Sequence, residues 1–527
     1  MRDTQIPGRS AVHAVNGMAA TSHPLATQAA IAILQQGGNA MDAAIAACAV
    51  QCVVEPGSTG IGGDCFALYC AKGETPVVAY NGSGRAPAAA TRGWYAERGM
   101  AAIPEFSAHA VTIPGAIDAW TRLHADHGRL PFDAVLAPAI AFAEDGYAIA
   151  PIVGRVWANT AARLARHAGS AAIFLKDGKP PLVGDIHRQP QLGATLRRIA
   201  REGRDAFYTG AVAGDMVATL QAAGGLHTAE DFAVHRGEYV DPIHTGYRGV
   251  DVYQVPPNGQ GIVALVMLNI LQGFDLAALD PHGVDRFHLE TEASRLGYAM
   301  RDQLIADMAL ASVPVGGLLS ARYADRLRAG VDPLRAMPKA AAAKFPLHPD
   351  TVYLTVVDRD RNAVSFINSL FYGFGSGITA ARSGVVFQNR GAGFVLTDGH
   401  PNCIAPNKRP LHTIIPGMAV RDGRALMPFG VMGGHYQPVG HVHLLTNVLD
   451  HGMDLQEALD SPRVFHNRGK LEVEAGVPRE TVAGLRERGH DIAFASNGGG
   501  QAIRIDWDRG TLEGGSDPRK DGCALGY

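Results

Sequence analysis

Thr351 is the residue of this sequence whose type and position could do the most chemistry. It opens an alternating run typical of a β-strand, Thr351 to Asp358, directly after a stretch rich in helix breakers. A threonine at the start of a strand is ordinarily a strand-forming residue and nothing more. If the chain were cut before Thr351, however, the residue would carry a free α-amine beside its own hydroxyl. A base and a nucleophile would then stand on one residue.

The α-amine of a cut chain would suit the role of base. Its reference pKa is about 7.7–8.0, so a useful fraction is neutral at pH 7, and a general base works best near the operating pH. The amine could take the proton of the Thr351 hydroxyl, directly or through a water, and the hydroxyl could attack an amide carbonyl. The sequence contains no GxSxG elbow and no convincing Ser/His/Asp set that would compete for this role.

Two consecutive glycines, Gly433 and Gly434, could serve the same reaction. They follow an apolar strand pattern and precede a helical one. Adjacent N–H groups at the start of a helix are well placed to hold the oxyanion of an amide attack. A turn that merely requires positive φ is the alternative interpretation of the pair.

Three histidines and one glycine-rich loop carry weaker signals. His435, His441 and His443 lie close in sequence without a nearby carboxylate, so core or rim histidines are favoured over a metal site. The run 373–377, Gly-Phe-Gly-Ser-Gly, matches neither phosphate-binding pattern and indicates a tight loop. We therefore predict neither a metal nor a cofactor.

The composition limits the classes of partner. Hydrophobic residues make up 47% and charged residues 18%, enough for a sizeable core, and the net charge is −3. That balance gives no electrostatic reason to expect nucleic acid or an anionic membrane. The first residues lack the apolar segment of a secretory signal, which predicts a cytoplasmic protein. The scattered cysteines favour reduced thiols over disulfides or zinc. They are Cys48, Cys52, Cys65, Cys70, Cys403 and Cys523.

Helical patterns dominate the first two thirds of the chain and strand patterns the last third, which predicts a layered α+β body. Periodicity is lost between residues 329 and 350, where a linker or exposed loop is an explanation that needs no catalysis. The predicted helices cover residues 25–36, 41–54, 115–127, 131–144, 191–201, 210–223, 261–271, 285–306 and 437–449. The predicted strands cover residues 65–70, 351–358, 363–370, 384–388, 413–419 and 424–431, with a hairpin around 359–362.

Ordered motifs run along nearly the whole chain: Gly37-Gly38-Asn39-Ala40-Met41-Asp42, Gly60 to Asp64, Thr112-Ile113-Pro114-Gly115, Pro256-Pro257-Asn258-Gly259-Gln260-Gly261, Pro406-Asn407-Lys408-Arg409-Pro410, Met432-Gly433-Gly434 and Ser516-Asp517-Pro518-Arg519 to Tyr527. Together they resemble the γ-glutamyltransferase family of N-terminal nucleophile hydrolases. The resemblance implies a four-layer αββα sandwich, made as one precursor that cleaves itself before a threonine. Thr351 holds that position, so the implied fragments are a large subunit, 1–350, and a small subunit, 351–527, which stay together. Residues 329–350 become a flexible tail before the cut. Ser369 falls where the family carries a second hydroxyl hydrogen-bonded to the nucleophile, and Gly433 and Gly434 fall at the oxyanion site.

The positions that bind a γ-glutamyl group in the family are largely rewritten here. Arg390 stands in place of a glutamine that meets the substrate amine, and Phe371 in place of an asparagine. His412 and Thr413 replace a pair of serines. The arginine expected for the carboxylate falls at Ser83, with Arg85 two residues further on as a substitute. Gly393 stands in place of an aspartate, so an ammonium at such a site would lose a carboxylate partner and face a cation. An acyl group carrying a carboxylate would instead suit Arg390, Arg85 and His412.

These changes predict an amidase for a small anionic acyl amide, since Phe371 also takes up space. Within the family the pattern is most similar to the oxamate amidohydrolase branch, which implies oxamate plus water giving oxalate and ammonia. A glutaryl-amide acylase of the cephalosporin type and a γ-glutamyl hydrolase or transferase acting on glutathione-like amides are the alternatives. An uncleaved homologue that only binds a ligand is the alternative of another class. The predicted partners are a small-molecule amide and the two subunits of one precursor.

Overall fold

The computed structural model of the protein describes residues 8–338 and 349–527. Residues 339–348, which form part of the predicted irregular run 329–350, lie outside the described residues. Asp350 and Thr351 are joined within one strand, Pro349–Val357, so the structure is that of the uncut chain.

Two seven-stranded sheets lie at the centre of the molecule, and all neighbouring strands within them are antiparallel. Sheet I carries Thr351, and its strands in spatial order are Cys523–Gly526, Met18–Thr21, Pro349–Val357, Ala363–Tyr372, Asp64–Cys70, Val78–Gly82 and Glu238–Val240. Sheet II contains, in order, Val12–Ala14, Thr511–Ser516, Gly499–Asp506, Arg424–Met432, Gly417–Arg421, Val250–Gln254 and Ile243–Tyr247.

The two sheets face one another across a hydrophobic layer. Phe66 and Tyr353 from sheet I pack there with Met418 and Ile503 from sheet II, and all four are fully buried. Alternate residues of each strand point into this layer because successive side chains of a strand point to opposite faces. The other set points outward, toward helices.

Helices cover the outer face of each sheet. The helix Ala40–Val54 is buried at every position, because it lies between sheet I and a further helix, Phe132–Asp145. Gly261–Leu271 and Gln437–Leu449 pack on sheet II. Helix, sheet, sheet and helix make four layers, which confirms the predicted αββα sandwich. The remaining helices are Pro24–Gln35, Arg92–Ala96, Ala116–His127, Pro151–Leu164, Ala168–Phe174, Pro190–Glu202, Asp205–Tyr208, Gly210–Ala222, Ala229–Ala233, Val284–Leu304, Val315–Leu318, Ala321–Arg328, Leu455–Asp460 and Arg479–Glu487.

The predicted helices and strands are all observed, but two of the predicted strands are shorter than expected, and the structure has further helices and strands that were not predicted. The predicted strand 413–419 begins only at Gly417, because Ile415 donates its N–H to the Gln437 side chain instead of to a neighbouring strand. The predicted strand 384–388 shrinks to Val385–Val386. Small sheets complete the fold. Tyr147–Ala148 pairs with Ile186–His187, and Thr379–Ala380 pairs with Val385–Val386. Lys470–Val473 lies between Val464–Asn467 and Ile492–Phe494.

All six cysteines are free thiols, as predicted. Within residues 8–338 and 349–527 there is no helix both long enough and apolar enough to cross a bilayer.

Candidate active site

Thr351 lies at an irregularity in the pairing between its strand and the neighbouring strand, Ala363–Tyr372. Asp350 pairs with Phe371 and Val352 with Asn368, so Thr351 stands opposite two residues of the partner strand. Such a bulge re-aims the side chains next to it. The Thr351 side chain is almost completely buried, and its Oγ1 lies 3.0 Å from Oγ of Ser369, one of those two residues.

Strand alternation explains why Thr351 points where it does. Leu354 and Val356 pack into the core under the helices, whereas Tyr353 and Val357 pack between the sheets. Thr351 shares the parity of Tyr353 and lies at the end of the layer between the sheets. The alternation therefore places the predicted nucleophile at the end of the layer between the two sheets. Its strand is fixed by side chains that pack on both of its faces.

Ser369 is the meeting point of the candidate catalytic group. Its Oγ accepts hydrogen bonds from the Phe371 backbone N–H at 2.9 Å and from Nη2 of Arg390 at 3.0 Å. A hydroxyl has one proton and two acceptor lone pairs. The two hydroxyls lie within hydrogen-bond distance of each other, and either can donate to the other.

Arg390 is fully buried beside this group. Its Nη1 donates to Oγ1 of Thr413 at 2.6 Å, and its guanidinium lies 4.2 Å from the centre of the Phe371 ring. In the described parts of the chain no carboxylate lies within ion-pairing distance of Arg390, and its Nε has no hydrogen-bond acceptor. Burial lowers the pKa of Arg390 to about 9. A buried cation without a counter-ion is costly, and an anion bound next to it would remove that cost.

Phe371 and Thr413 are both brought to Arg390, as expected of residues that share a binding site. Phe371 has a φ of 84°, a left-handed conformation that a bulky residue rarely adopts, and it follows directly on the irregular pairing at Thr351. The Phe371 ring stacks on Tyr372 with centroids 4.4 Å apart. This packing holds the ring beneath the guanidinium.

The Gly433–Gly434 turn follows the strand Arg424–Met432 and packs against the strand of Thr351. Both glycines have positive φ, 123° and 55°, so the turn requires the conformational freedom of glycine. Over the residues that the structure describes, neither N–H donates to a backbone carbonyl. The pair is thus a turn that requires positive φ, as the alternative interpretation held. It also leaves two N–H donors for an oxyanion.

His412 differs from the cation that the sequence led us to expect. Its Nε2 donates to Oδ2 of Asp64 at 3.0 Å, and its Nδ1 accepts from the Ile414 backbone N–H at 3.3 Å. Burial, together with the nearby Arg390 charge, lowers the pKa of His412 to about 4. The ring is therefore neutral at pH 7, and both of its nitrogens contact the protein. A direct role of His412 in substrate binding stays a prediction.

Asp64 is a residue of the site that sequence reasoning missed. Besides His412, the carboxylate accepts hydrogen bonds from the backbone N–H groups of Gly84 and Gly115 at 2.9 and 3.1 Å, and from Nε2 of Gln388 at 2.9 Å. Asp64 thus joins four separate segments behind Arg390. An acidic residue closing the glycine-rich loop before a buried strand was the signal that could have revealed it.

Arg85, the second predicted anchor, has other partners. Its Nη1 donates to the Asn407 carbonyl at 3.1 Å and lies 3.7 Å from the Asp307 carboxylate, and 27% of its side chain is exposed. The structure does not bring Arg85 into hydrogen-bond contact with Thr351, Ser369 or Arg390. Its role as a substrate anchor stays a prediction.

Two of the three histidines that follow the glycine turn, His441 and His443, belong to the core, whereas His435 is partly buried and its Nδ1 lies 2.8 Å from Nη1 of Arg301. His441 and His443 are buried, and burial lowers the pKa of His441 to about 3 and that of His443 to about 4. His443 contacts the Glu290 carboxylate at 3.1 Å. This agrees with the interpretation favoured from the sequence.

One cluster among the described residues has the composition of a metal site, but its polar atoms already have protein partners. Nδ1 of His288 lies 2.8 Å from Nε2 of His490, and Nε2 of His288 contacts the Asp332 carbonyl at 2.8 Å. Glu292 accepts from Arg295 at 2.9 Å. The cluster is explained as a buried hydrogen-bond network between helix Val284–Leu304 and its surroundings.

Comparisons with known proteins agree with this architecture over the full chain. The family model for gamma-glutamyltranspeptidase matches residues 26–527. The glutathione hydrolase-like YwrD proenzyme of Bacillus subtilis is 39% identical, over 97% of this chain and 98% of that protein. The oxamate amidohydrolase proenzyme of Klebsiella pneumoniae is 35% identical, over 97% of this chain and 98% of that protein.

A solved structure shows the same similarity in three dimensions. The crystal structure of cephalosporin acylase from Bacillus halodurans superposes with a TM-score of 0.93 at 40% sequence identity, covering 100% of this chain and 99% of that chain. The similar proteins thus differ in the amides they are named for while sharing one fold.

Proposed function

The chain belongs to the gamma-glutamyltranspeptidase family, and from this premise we propose that it hydrolyses oxamate to oxalate and ammonia. The broader activity follows from the family: the protein is a self-processing amidohydrolase or acylase that cleaves amide C–N bonds. The observation that carries the finer proposal is the buried Arg390 guanidinium, which contacts Ser369 and has no carboxylate partner among the described residues.

The Arg390 guanidinium favours a substrate whose acyl group ends in a carboxylate. The guanidinium is planar and presents several N–H donors, which match a carboxylate well. A γ-glutamyl group would bring an α-ammonium toward the same region, and the two positive charges would repel. The Phe371 ring lies against the guanidinium and takes up space beside it, which favours a short acyl chain. Oxamate, whose carboxylate is bonded directly to the amide carbonyl, fits both restrictions.

The proposed reaction needs a cut before Thr351, which gives fragments 1–350 and 351–527. The new α-amine then takes the proton of the Thr351 hydroxyl, and Oγ1 attacks the amide carbonyl of oxamate. The N–H groups of Gly433 and Gly434 stabilise the oxyanion. The ammonium formed at residue 351 returns its proton to the departing nitrogen, and ammonia leaves. Water attacks the oxalyl ester with the same amine as base, releasing oxalate and restoring the hydroxyl.

Ammonia release from oxamate, measured beside hydrolysis of γ-glutamyl-p-nitroanilide, tests the proposal. We expect turnover of oxamate at least tenfold higher in kcat/KM than that of the γ-glutamyl amide. Efficient hydrolysis of the γ-glutamyl amide with no ammonia from oxamate would refute the oxamate proposal.

A longer acyl group with a terminal carboxylate is the second candidate. A glutaryl amide also offers an anion to Arg390 and lacks an α-ammonium, and the similarity to cephalosporin acylase favours keeping it in the assay. Glutaramate, the mono-amide of glutarate, separates the two candidates because it differs from oxamate in acyl length and not in charge.

A further inference from the structure

Gln260 is a buried side chain with every polar atom engaged. It precedes the helix Gly261–Leu271. Its Nε2 donates to the carbonyls of Thr413 and Gly434, each at 2.9 Å, and its Oε1 accepts from Nη1 of Arg301 at 2.8 Å. The Gln260 backbone N–H also donates to the His412 carbonyl at 2.9 Å.

The two carbonyls that share the Gln260 amide belong to opposite halves of the candidate site. Thr413 holds Nη1 of Arg390 through its hydroxyl, and Gly434 belongs to the oxyanion turn. We propose that Gln260 is a positioning residue that fixes the distance between the carboxylate anchor and the oxyanion donors. The inference rests on the proposed function, because it assigns those roles to Arg390 and to the turn.

The oxyanion turn needs such an external support. Gly433 and Gly434 both have positive φ and no side chains, so their own conformational preferences do not select one orientation. The Gln260 hydrogen bond orients the peptide that follows Gly434. Arg301 in turn orients the amide, so that its N–H groups and not its oxygen face the two carbonyls. Rate depends steeply on such placement, since a misplacement of about 1 Å costs on the order of 10²-fold.

The expected signature is a loss of kcat without a matching loss of binding. In Gln260→Leu the Arg390 charge persists, so the anion should still bind, whereas the oxyanion donors lose their alignment. We expect kcat to fall on the order of 10²-fold and the inhibition constant of oxalate to change by less than about threefold. A residue with a purely structural role would lower thermal stability while leaving kcat of the folded, processed enzyme unchanged.

Gln456→Leu is the matched control. Gln456 is also a buried glutamine with both ends engaged: its Nε2 donates to the Ser516 carbonyl at 2.9 Å and its Oε1 accepts from the Ser516 N–H at 3.0 Å. It lies on the helix Leu455–Asp460, and no hydrogen bond joins it to Thr413 or Gly434. Should Gln260→Leu fail to fold, Gln260→Glu takes its place, because it keeps the size and the acceptor for Arg301 while removing the two-donor amide.

The assay uses oxamate, glutaramate and γ-glutamyl-p-nitroanilide, with kcat referred to the fraction of chain cut before residue 351. A kcat loss in the Gln260 variant that Gln456→Leu does not share would support the inference. Equal kcat in wild type and variant, or an equal loss in the control, would overturn it. No turnover of oxamate by wild type would refute the proposed substrate alone, and the comparison would still be decided on the amides that are cleaved.

Discussion

The two walls of the candidate site are built in different ways. The wall that carries Thr351 and Ser369 is a strand pair, Pro349–Val357 with Ala363–Tyr372, whose pairing and two apolar cores fix each side chain. The opposite wall consists of a short turn at Arg390–Gly393 and the irregular segment at His412 and Thr413. It is held by polar contacts such as that between His412 and Asp64.

This difference assigns the nucleophile to the strand wall and the choice of substrate to the loop wall. A strand wall changes little without damaging the core, so the nucleophile and its serine stay where the sheet places them. A loop wall can exchange its polar residues while the sheets stay intact. Similar proteins named for glutathione, oxamate and cephalosporin substrates on one fold agree with this division of labour. Substitutions on the two walls should therefore fail in different ways.

Thr351→Ala should have the largest effect, because it removes the nucleophile from the strand wall. We expect one uncut chain by denaturing gel and intact mass, and a fall in amidase activity of at least about 10⁴-fold. Thr355→Ala, on the same strand, is the control: its Oγ1 donates to the Val364 carbonyl in the core, so cleavage should persist. A wild-type chain that stays full length would favour an uncleaved binding protein, and cleavage in Thr351→Ala would place the nucleophile elsewhere.

Arg390→Gln should have the next largest effect and should act on the loop wall alone. Losing a buried charge-assisted contact to the substrate carboxylate costs about 3–4 kcal/mol, or 10²–10³-fold in kcat/KM for oxamate. Cleavage before Thr351 should be retained, which would separate the two walls. Arg85→Gln ranks the two predicted anchors: because Asp307 and Asn407 already engage Arg85, we expect a smaller loss than in Arg390→Gln. Equal kcat/KM in Arg390→Gln and wild type would show that this arginine is not the anchor.

Lowering the pH should reduce the free energy of unfolding through His412, a residue of the loop wall. Its pKa is about 4 in the folded chain and about 6.5 when unfolded, so below pH 6.5 the unfolded state binds the additional proton. Stability from this group is fully present above about pH 6.5 and falls as the pH drops toward 4, by up to about 3 kcal/mol.

His412→Gln keeps a donor for Asp64 without a titrating ring. In urea unfolding between pH 7 and 4.5, this variant should lose less stability than wild type. His244→Gln, at an exposed histidine, should behave as wild type does. Identical pH profiles for the His412 variant and wild type would contradict the assignment.

Ser369→Ala should have the smallest effect of the four. It removes one hydroxyl that contacts Oγ1 of Thr351 and Nη2 of Arg390, and it leaves the α-amine of residue 351 as base. We expect kcat to fall about tenfold, near the energy of one hydrogen bond. Ser365→Ala, four residues earlier on the same strand, tests whether the loss is specific. Ser365 contacts Tyr353 and the Phe429 carbonyl in the core. Comparable losses in both variants would indicate a general weakening of the strand.

The strand wall could be predicted from the sequence because its information is local. Period-two alternation gave the hairpin, and helical periodicity gave Gly261–Leu271 and Gln437–Leu449 with their observed bounds. The position of Thr351 after the breaker-rich run indicated where chemistry could occur. The αββα layering then followed from the ordered motifs.

The loop wall could not be predicted to the same depth because its contacts are long-range. The neutral state of His412 depends on burial and on the nearby Arg390 charge, and its ring is held by Asp64, 348 residues away in sequence. Arg85 is paired with Asp307 through a similarly distant contact. Charge signs alone therefore could not show that the His412 ring is neutral or that Arg85 contacts Asp307 and Asn407, and the roles of both residues as substrate anchors stay predictions.

The strand order of sheet I has a consequence for the life of the protein after a cut before Thr351. Met18–Thr21, from the large fragment, lies between Cys523–Gly526 and Pro349–Val357. The two fragments are therefore interleaved, and parting them would require three β-ladders of sheet I and two of sheet II to open. Each small fragment would keep for life the large fragment with which it was synthesised. Mixed populations of differently labelled enzyme should show no exchange, and a defect in one half could not be rescued by a healthy half supplied later.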